Sequence, residues 1–237
     1  MEGHDTMAFT DMSLEERFAG LDDHKARFVS KVYSGLTVSL VVAAIACVLG
    51  IGWFNSMPRP TAMGIFKILM ICEVVLLLIA SFVRLSGPLA WAMLFGIVSL
   101  SGVTLAPILI FYERIAGVGT IAAAIGLTGT IFLTLTAYVR YSGKDFSYLG
   151  GFLWMATIAL ILTGLASIFF PAFGQAVHYW KACIGALIFS GWILFDTSAV
   201  TRQYYREDNV VGAILTLYLD IVNLFIYILQ ILGNRKD

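Results

Sequence analysis

Hydrophobic and polar positions along the chain fall into long apolar runs separated by short polar breaks. Seven runs stand out: Val32–Phe54, Phe66–Val83, Leu89–Phe111, Ile115–Val139, Phe146–Phe170, Tyr179–Val200 and Val210–Leu232. A helix needs about 20 apolar residues to cross the hydrocarbon core of a bilayer. Each run has or approaches that length, and together they take up about two thirds of the chain. The expected fold class is all-α, a polytopic membrane bundle of seven transmembrane helices.

The breaks carry turn chemistry. They are Asn55–Pro60, Ser86-Gly87-Pro88, Tyr112-Glu113-Arg114, Ser142–Asp145, Pro171–His178 and Arg202–Asn209. Connections this short make sequential helices antiparallel neighbours. Pro107 lies inside the third run and is expected to kink it. The longest polar segment precedes the first run. We expect residues 1–31 to be a flexible cytoplasmic tail, with a short amphipathic helix near residues 14–21, and residues 32–237 to be the transmembrane domain. The polar start and the spanning length of the first run are unlike a signal peptide.

Composition sharpens this picture. Hydrophobic residues make up 59% of the chain, charged residues 13%, and mean hydropathy is +0.89. Soluble domains are about 45–50% apolar and about 25% charged, so a water-soluble enzyme and a disordered chain are both disfavoured. The formal net charge is zero, which leaves no basic footprint for nucleic acid. Cys47, Cys72 and Cys183 each sit inside an apolar run and read as small core hydrophobes.

Lys and Arg set the orientation. A cytoplasmic N-terminus puts Arg17, Lys25, Arg27, Lys31, Arg84, Arg140, Lys144, Arg202 and Arg206 on the inner side. Arg59, Lys67, Arg114, Lys181, Arg235 and Lys236 then lie outside, and the excess favours N-inside. Seven crossings place the C-terminus outside. Six would return it to the cytoplasm, and the seventh run, the most polar, is the one in question.

Ionisable residues within a span cost about 2.5–3.5 kcal/mol each on insertion scales, so each asks for a reason. Asp196 and Asp220 flank the turn at Arg206–Asn209 symmetrically, with position 208 midway. In an antiparallel hairpin they lie at equal depth, roughly 10–15 Å into the protein. Thr216, Asp220, Asn223, Tyr227 and Gln230 form one continuous polar stripe on the seventh run. Such a stripe does not face lipid, so the seventh helix should be central, with Thr216, Asn223 and Tyr227 as candidate pore-lining residues. Glu73 and Arg84 on the second run share a face about 16 Å apart along the axis. Arg84 can snorkel to the interface or reach inward to a carboxylate.

Other features have plainer readings. Tyr112, Tyr141, Trp180, Tyr204 and Tyr205 near run ends read as aromatic-belt residues. Ala122, Gly126, Thr130 and Thr134, four residues apart, read as a close helix-packing face.

Two carboxylates in contact in a low-dielectric site resist double ionisation and share a proton. That makes a pH-dependent latch: with the proton held, interior hydrogen bonds keep the bundle shut. Loss of the proton favours a rearranged, wetter state. The same anionic oxygens suit a hard cation, so Asp196 and Asp220 are also a candidate Ca²⁺ site. No cofactor is expected to be required, and Ca²⁺ and H⁺ are the expected transported or regulatory ions.

The stretches SGVTLAPILIFY (101–112), LTAYVRYSGKDFSYLGGFL (135–153), GWILFDTSAVTRQYY (191–205) and GAILTLYLDIVNLFIYILQILG (212–233) carry a family resemblance. They resemble the Bax inhibitor-1 family of transmembrane BI-1-motif proteins, in particular its bacterial YccA-like branch. The resemblance extends over all seven runs and implies a seventh helix surrounded by the other six. It further implies that Asp196 and Asp220 are a di-aspartyl pH sensor, with Arg84 as the latch arginine and Glu73 as the acidic residue of helix two. Similar proteins are described as pH-sensitive Ca²⁺ leak channels and, in eukaryotes, as suppressors of cell death. Bacterial relatives are described as interacting with a membrane-bound AAA protease. A bacterial inner-membrane location follows from this resemblance, and an ER or Golgi location for a eukaryotic source. Competing readings are a non-conducting modulator of a membrane protease, a proton-coupled transporter and an intramembrane aspartyl protease. The last pairs YD with GxGD, which the contexts LFD (194–196) and YLD (218–220) lack.

Overall fold

The structure is a computed structural model that describes residues 14–82, 87–202 and 210–234. It holds seven long α-helices: α1 (Leu14–Asn55), α2 (Arg59–Phe82), α3 (Gly87–Ala116), α4 (Val118–Ser142), α5 (Gly150–Phe169), α6 (Pro171–Arg202) and α7 (Val210–Gly233). A single 3₁₀ turn, Ser147–Leu149, leads into α5. All seven helices are long and apolar enough to span a membrane, and no strand occurs among the described residues.

Local chemistry places the ends. Gly117, at φ 80°, separates α3 from α4 because only glycine takes that backbone cheaply. The expected break at Tyr112-Glu113-Arg114 is therefore the last turn of α3. Pro171 opens α6 at a first-turn position, where its missing N–H is no loss, so the expected break at 171–178 is helical. Pro107 lies inside α3, which continues through it.

The expected tail needs correction. Residues 1–13 lie outside the described residues, but from Leu14 the chain is helical without interruption into the first span. The reason is packing: Phe28, Val32 and Leu36 recur every four residues and are all buried in the core. Charged Arg27 and Lys31 are exposed on the other faces of the same helix, and Lys25 is half-buried at the polar end of the stripe.

Helix α7 is the centre of the bundle. It packs against α1, α3, α4 and α6, and no residue from Val210 to Gly233 is exposed. Two apolar clusters surround it at different levels. One joins Val32, Leu36, Leu94, Val98 and Val200 to Ala213, Leu217 and Tyr218. The other joins Tyr112, Ala124 and Ile193 to Leu224, Phe225, Ile228 and Leu229. Helices α2 and α5 are outer elements, seated mainly on α3 and α6.

Lipid gives helices no hydrophobic drive to associate, so close packing of small residues takes over. A Cβ on Gly102 of α3 would run into the Ala43 carbonyl of α1, and one on Gly35 of α1 into Ile214 of α7. The small residues expected to pack on α4 do not: Ala122, Gly126, Thr130 and Thr134 are all exposed. The packed face is instead the one with Ala124 and Thr128, joined by bulky Ile121, Ile131, Phe132 and Leu135. Tyr112 is likewise no belt residue; it is buried, with its ring against Gly233.

Candidate functional site

Asp196 and Asp220 are the two buried carboxyls among the described residues, with 4% and 5% of their surface exposed. Asp196 lies six residues before the end of α6, about 9 Å along the axis. Asp220 lies ten residues into α7, about 15 Å along it. The Asp196 side chain lies close enough to Asp220 to act on its carboxyl. The Oδ2 of Asp220 has no hydrogen-bond partner.

Their position between the two apolar clusters defines the site. On α7 Asp220 falls between Leu217 of one cluster and Leu224 of the other. On α6 Asp196 falls between Val200 and Ile193 in the same way. The carboxyl pair is thus a polar layer with an apolar seal above and below. Two negative charges at contact repel strongly where water is absent.

The remaining candidates are distributed differently. Arg84 lies outside the described residues. Glu73 is half-buried on α2 and accepts a 2.6 Å hydrogen bond from Thr104 Oγ1 of α3. It belongs to a separate polar group with Ser101 and Tyr218, whose hydroxyl points to Ser101 and to the Val98 carbonyl at 3.5 Å. Asn223 spends its amide on the Leu219 carbonyl of its own helix, at 2.8 Å. Thr216 donates to the Ala213 carbonyl at 3.3 Å. Tyr227 packs its ring on Phe189, 5.7 Å between centroids, in the space left by Gly185. Gln230 Oε1 is buried without a partner.

One cluster escaped the sequence analysis. Tyr33 of α1 faces the hydroxyls of Thr136 on α4 and Thr197 on α6, yet none of the three completes a hydrogen bond. Thr197 directly follows Asp196, so these hydroxyls approach the carboxyl layer from the end at which α1 begins. Their only signal in the sequence is a hydroxyl within each of three apolar runs. At that same end Arg202 holds the α4–α5 connection, bonding the Gly143 carbonyl and pairing with Asp145 at 3.9 Å.

Among the described residues no three His, Cys, Asp or Glu side chains come together as a metal cage. A full Ca²⁺ shell takes about six to eight oxygens, more than two carboxyls supply.

Seven membrane-length helices, with α7 at the centre of the bundle and one buried carboxyl each on α6 and α7, define a polytopic integral membrane protein. Comparison with known sequences gives the family. The family model described as inhibitor of apoptosis-promoting Bax1 matches residues 25–237, and the chain belongs to this Bax inhibitor-1 family. A membrane protein of Vibrio cholerae is 41% identical over 155 residues, 64% of this chain and 67% of that one. A protein of Helicobacter pylori is 32% identical over 213 residues, 89% of this chain and 87% of its own. Bax inhibitor 1 of Schizosaccharomyces pombe is 38% identical over 152 residues, 64% of this chain and 55% of the yeast protein.

Proposed function

We propose that this chain is a pH-sensitive Ca²⁺ leak pathway gated by the Asp196–Asp220 pair. The observation that carries the reading is a pair of buried acids close enough to act on each other, flanked by Val200 and Leu217 on one side and Ile193 and Leu224 on the other. With one proton held, a shared hydrogen bond ties α6 to α7 and the seals stay closed. Loss of that proton sets two carboxylates against each other, and the repulsion favours separation and entry of water. Ca²⁺ then competes with the proton for the same oxygens. Flux therefore rises as pH rises through the titration of the pair. In this reading Arg84 is the latch cation that the family resemblance implies, and Glu73 is a secondary acidic site. The Lys and Arg distribution supports a cytoplasmic N-terminus, and the bacterial relatives support an inner-membrane location.

The test is Ca²⁺ flux into proteoliposomes across about pH 5–8, where perturbed carboxyls titrate. Wild type is expected to conduct more at the alkaline end, and Asp196→Asn and Asp220→Asn to lose that dependence. An unchanged pH profile in both variants excludes the pair as the gate. A second reading draws on the names of two relatives, Bax inhibitor 1 of fission yeast and a Golgi anti-apoptotic protein of vaccinia virus. There the chain restrains a partner, such as a membrane AAA protease, and conducts nothing. Absence of flux at every pH together with co-purification of that protease favours it. Both readings are non-enzymatic.

A further inference from the structure

The end of the bundle opposite the start of α1 holds a cavity of ≈ 540 Å³, lined by Ser167, Gly174, Gln175, His178, Lys181 and Asn234. It forms where the end of α5, the first turns of α6 and the end of α7 converge. Gly174 makes the convergence possible, because a Cβ there would press on Ser167 at 3.0 Å and on its carbonyl at 3.2 Å. Among the described residues the lining contains no acid.

Its level in the membrane follows from helix geometry. Lys181 and Arg202 are 21 residues apart on α6, which is about 32 Å of helix, close to the thickness of the hydrocarbon core. Lys181 therefore marks one polar boundary and Arg202 the other. Tyr179 and Trp180, both exposed, sit beside Lys181 as interface aromatics do. The cavity thus opens at headgroup depth.

Its chemistry selects an anion. His178 and Lys181 lie three residues apart on one helix face, within electrostatic reach of each other. No carboxylate pairs with Lys181 among the described residues. The amides of Gln175 and Asn234 add neutral donors, whereas the Ser167 hydroxyl is already spent on the Thr163 carbonyl at 2.7 Å. An ammonium, an imidazole and two amides with no acid make a donor set for phosphate oxygens.

We infer that this pocket binds a phosphate group at the membrane surface, through Lys181 and His178 with the amides of Gln175 and Asn234. The chemistry is shared by the headgroup of an anionic phospholipid and by free phosphate. Native mass spectrometry of the full chain in detergent separates the two sources, using phosphatidylglycerol, phosphatidylcholine and inorganic phosphate as probes. One retained phosphatidylglycerol, preferred about tenfold over phosphatidylcholine, identifies the lipid; retained or competing inorganic phosphate without that preference identifies the free ion. In either case Lys181→Gln with His178→Gln lowers retention about tenfold, while Lys181→Arg preserves it. Equal retention of the two lipids with no phosphate effect, or retention unaltered in the double variant, overturns the inference. The melting temperature of the double variant in detergent, expected to equal wild type when no probe is added, separates lost binding from lost folding.

Discussion

Helices α2 and α7 are the same length, 24 residues, and each carries one acidic side chain in an apolar run. Their environments are opposite. No residue of α2 is buried and none of α7 is exposed. Hydrophobic content does not explain the difference, since both helices are apolar enough to span a membrane. In a bilayer apolar residues are at home on either side of a helix, so apolarity admits a helix to the membrane without assigning its place. Polar groups make that assignment. The stripe Thr216–Asp220–Asn223–Tyr227–Gln230 has no acceptable contact with lipid along its length, and α7 is enclosed. Helix α2 needs only one inward contact for Glu73, and Thr104 of α3 supplies it.

The largest contrast between the two helices should appear on cutting back apolar side chains. Leu224 is fully buried on α7, and Leu224→Ala should cost about 2–5 kcal/mol through the cavity it leaves. Ile71→Ala on the exposed face of α2 should leave thermal stability in detergent within about 0.5 kcal/mol of wild type. A similar loss at both sites would mean that α2 is packed as tightly as α7.

Overpacking sharpens the same contrast at a smaller scale. Gly35→Val forces a side chain into Ile214 of α7 and should destabilise by about 1–3 kcal/mol. A Cβ on Gly64 of α2 would meet nothing within 4 Å, and Gly64→Val should fold with a melting temperature near that of wild type. The smallest effect concerns the single polar tie of α2. Thr104→Val removes the bond to Glu73 and should cost about 0.5–1.5 kcal/mol, with the pH dependence of flux retained. A lost pH dependence in Thr104→Val would move the sensor from the α6–α7 pair to Glu73.

Periodicity and cost arguments made much of this architecture legible. Apolar run lengths correspond to seven helices, and the polar stripe corresponds to the enclosed seventh. Symmetry about position 208 singled out Asp196 and Asp220 as a pair, and both are buried within the bundle. What stayed hidden depends on neighbours that a single helix does not announce. The spacing of Ala122, Gly126, Thr130 and Thr134 suits close packing equally well whether a helix or lipid lies opposite, and here no helix does. Phe28 belongs to the core although charged residues surround it in sequence, because α1 keeps its buried stripe while its other faces change from apolar to charged. Glu73 with Thr104, and Tyr33 with Thr136 and Thr197, are pairings between helices far apart in sequence. Each partner alone is an ordinary hydroxyl in an apolar run.

The central claim is that Asp196 and Asp220 titrate as one unit, and a double-variant cycle on Ca²⁺ flux across about pH 5–8 tests it most directly. If one shared proton works the gate, Asp196→Asn, Asp220→Asn and the double variant give the same flat pH profile, because either change alone removes the pair. Two single variants that each keep part of the pH response, with losses that add up in the double variant, would show two independent acids and contradict the account.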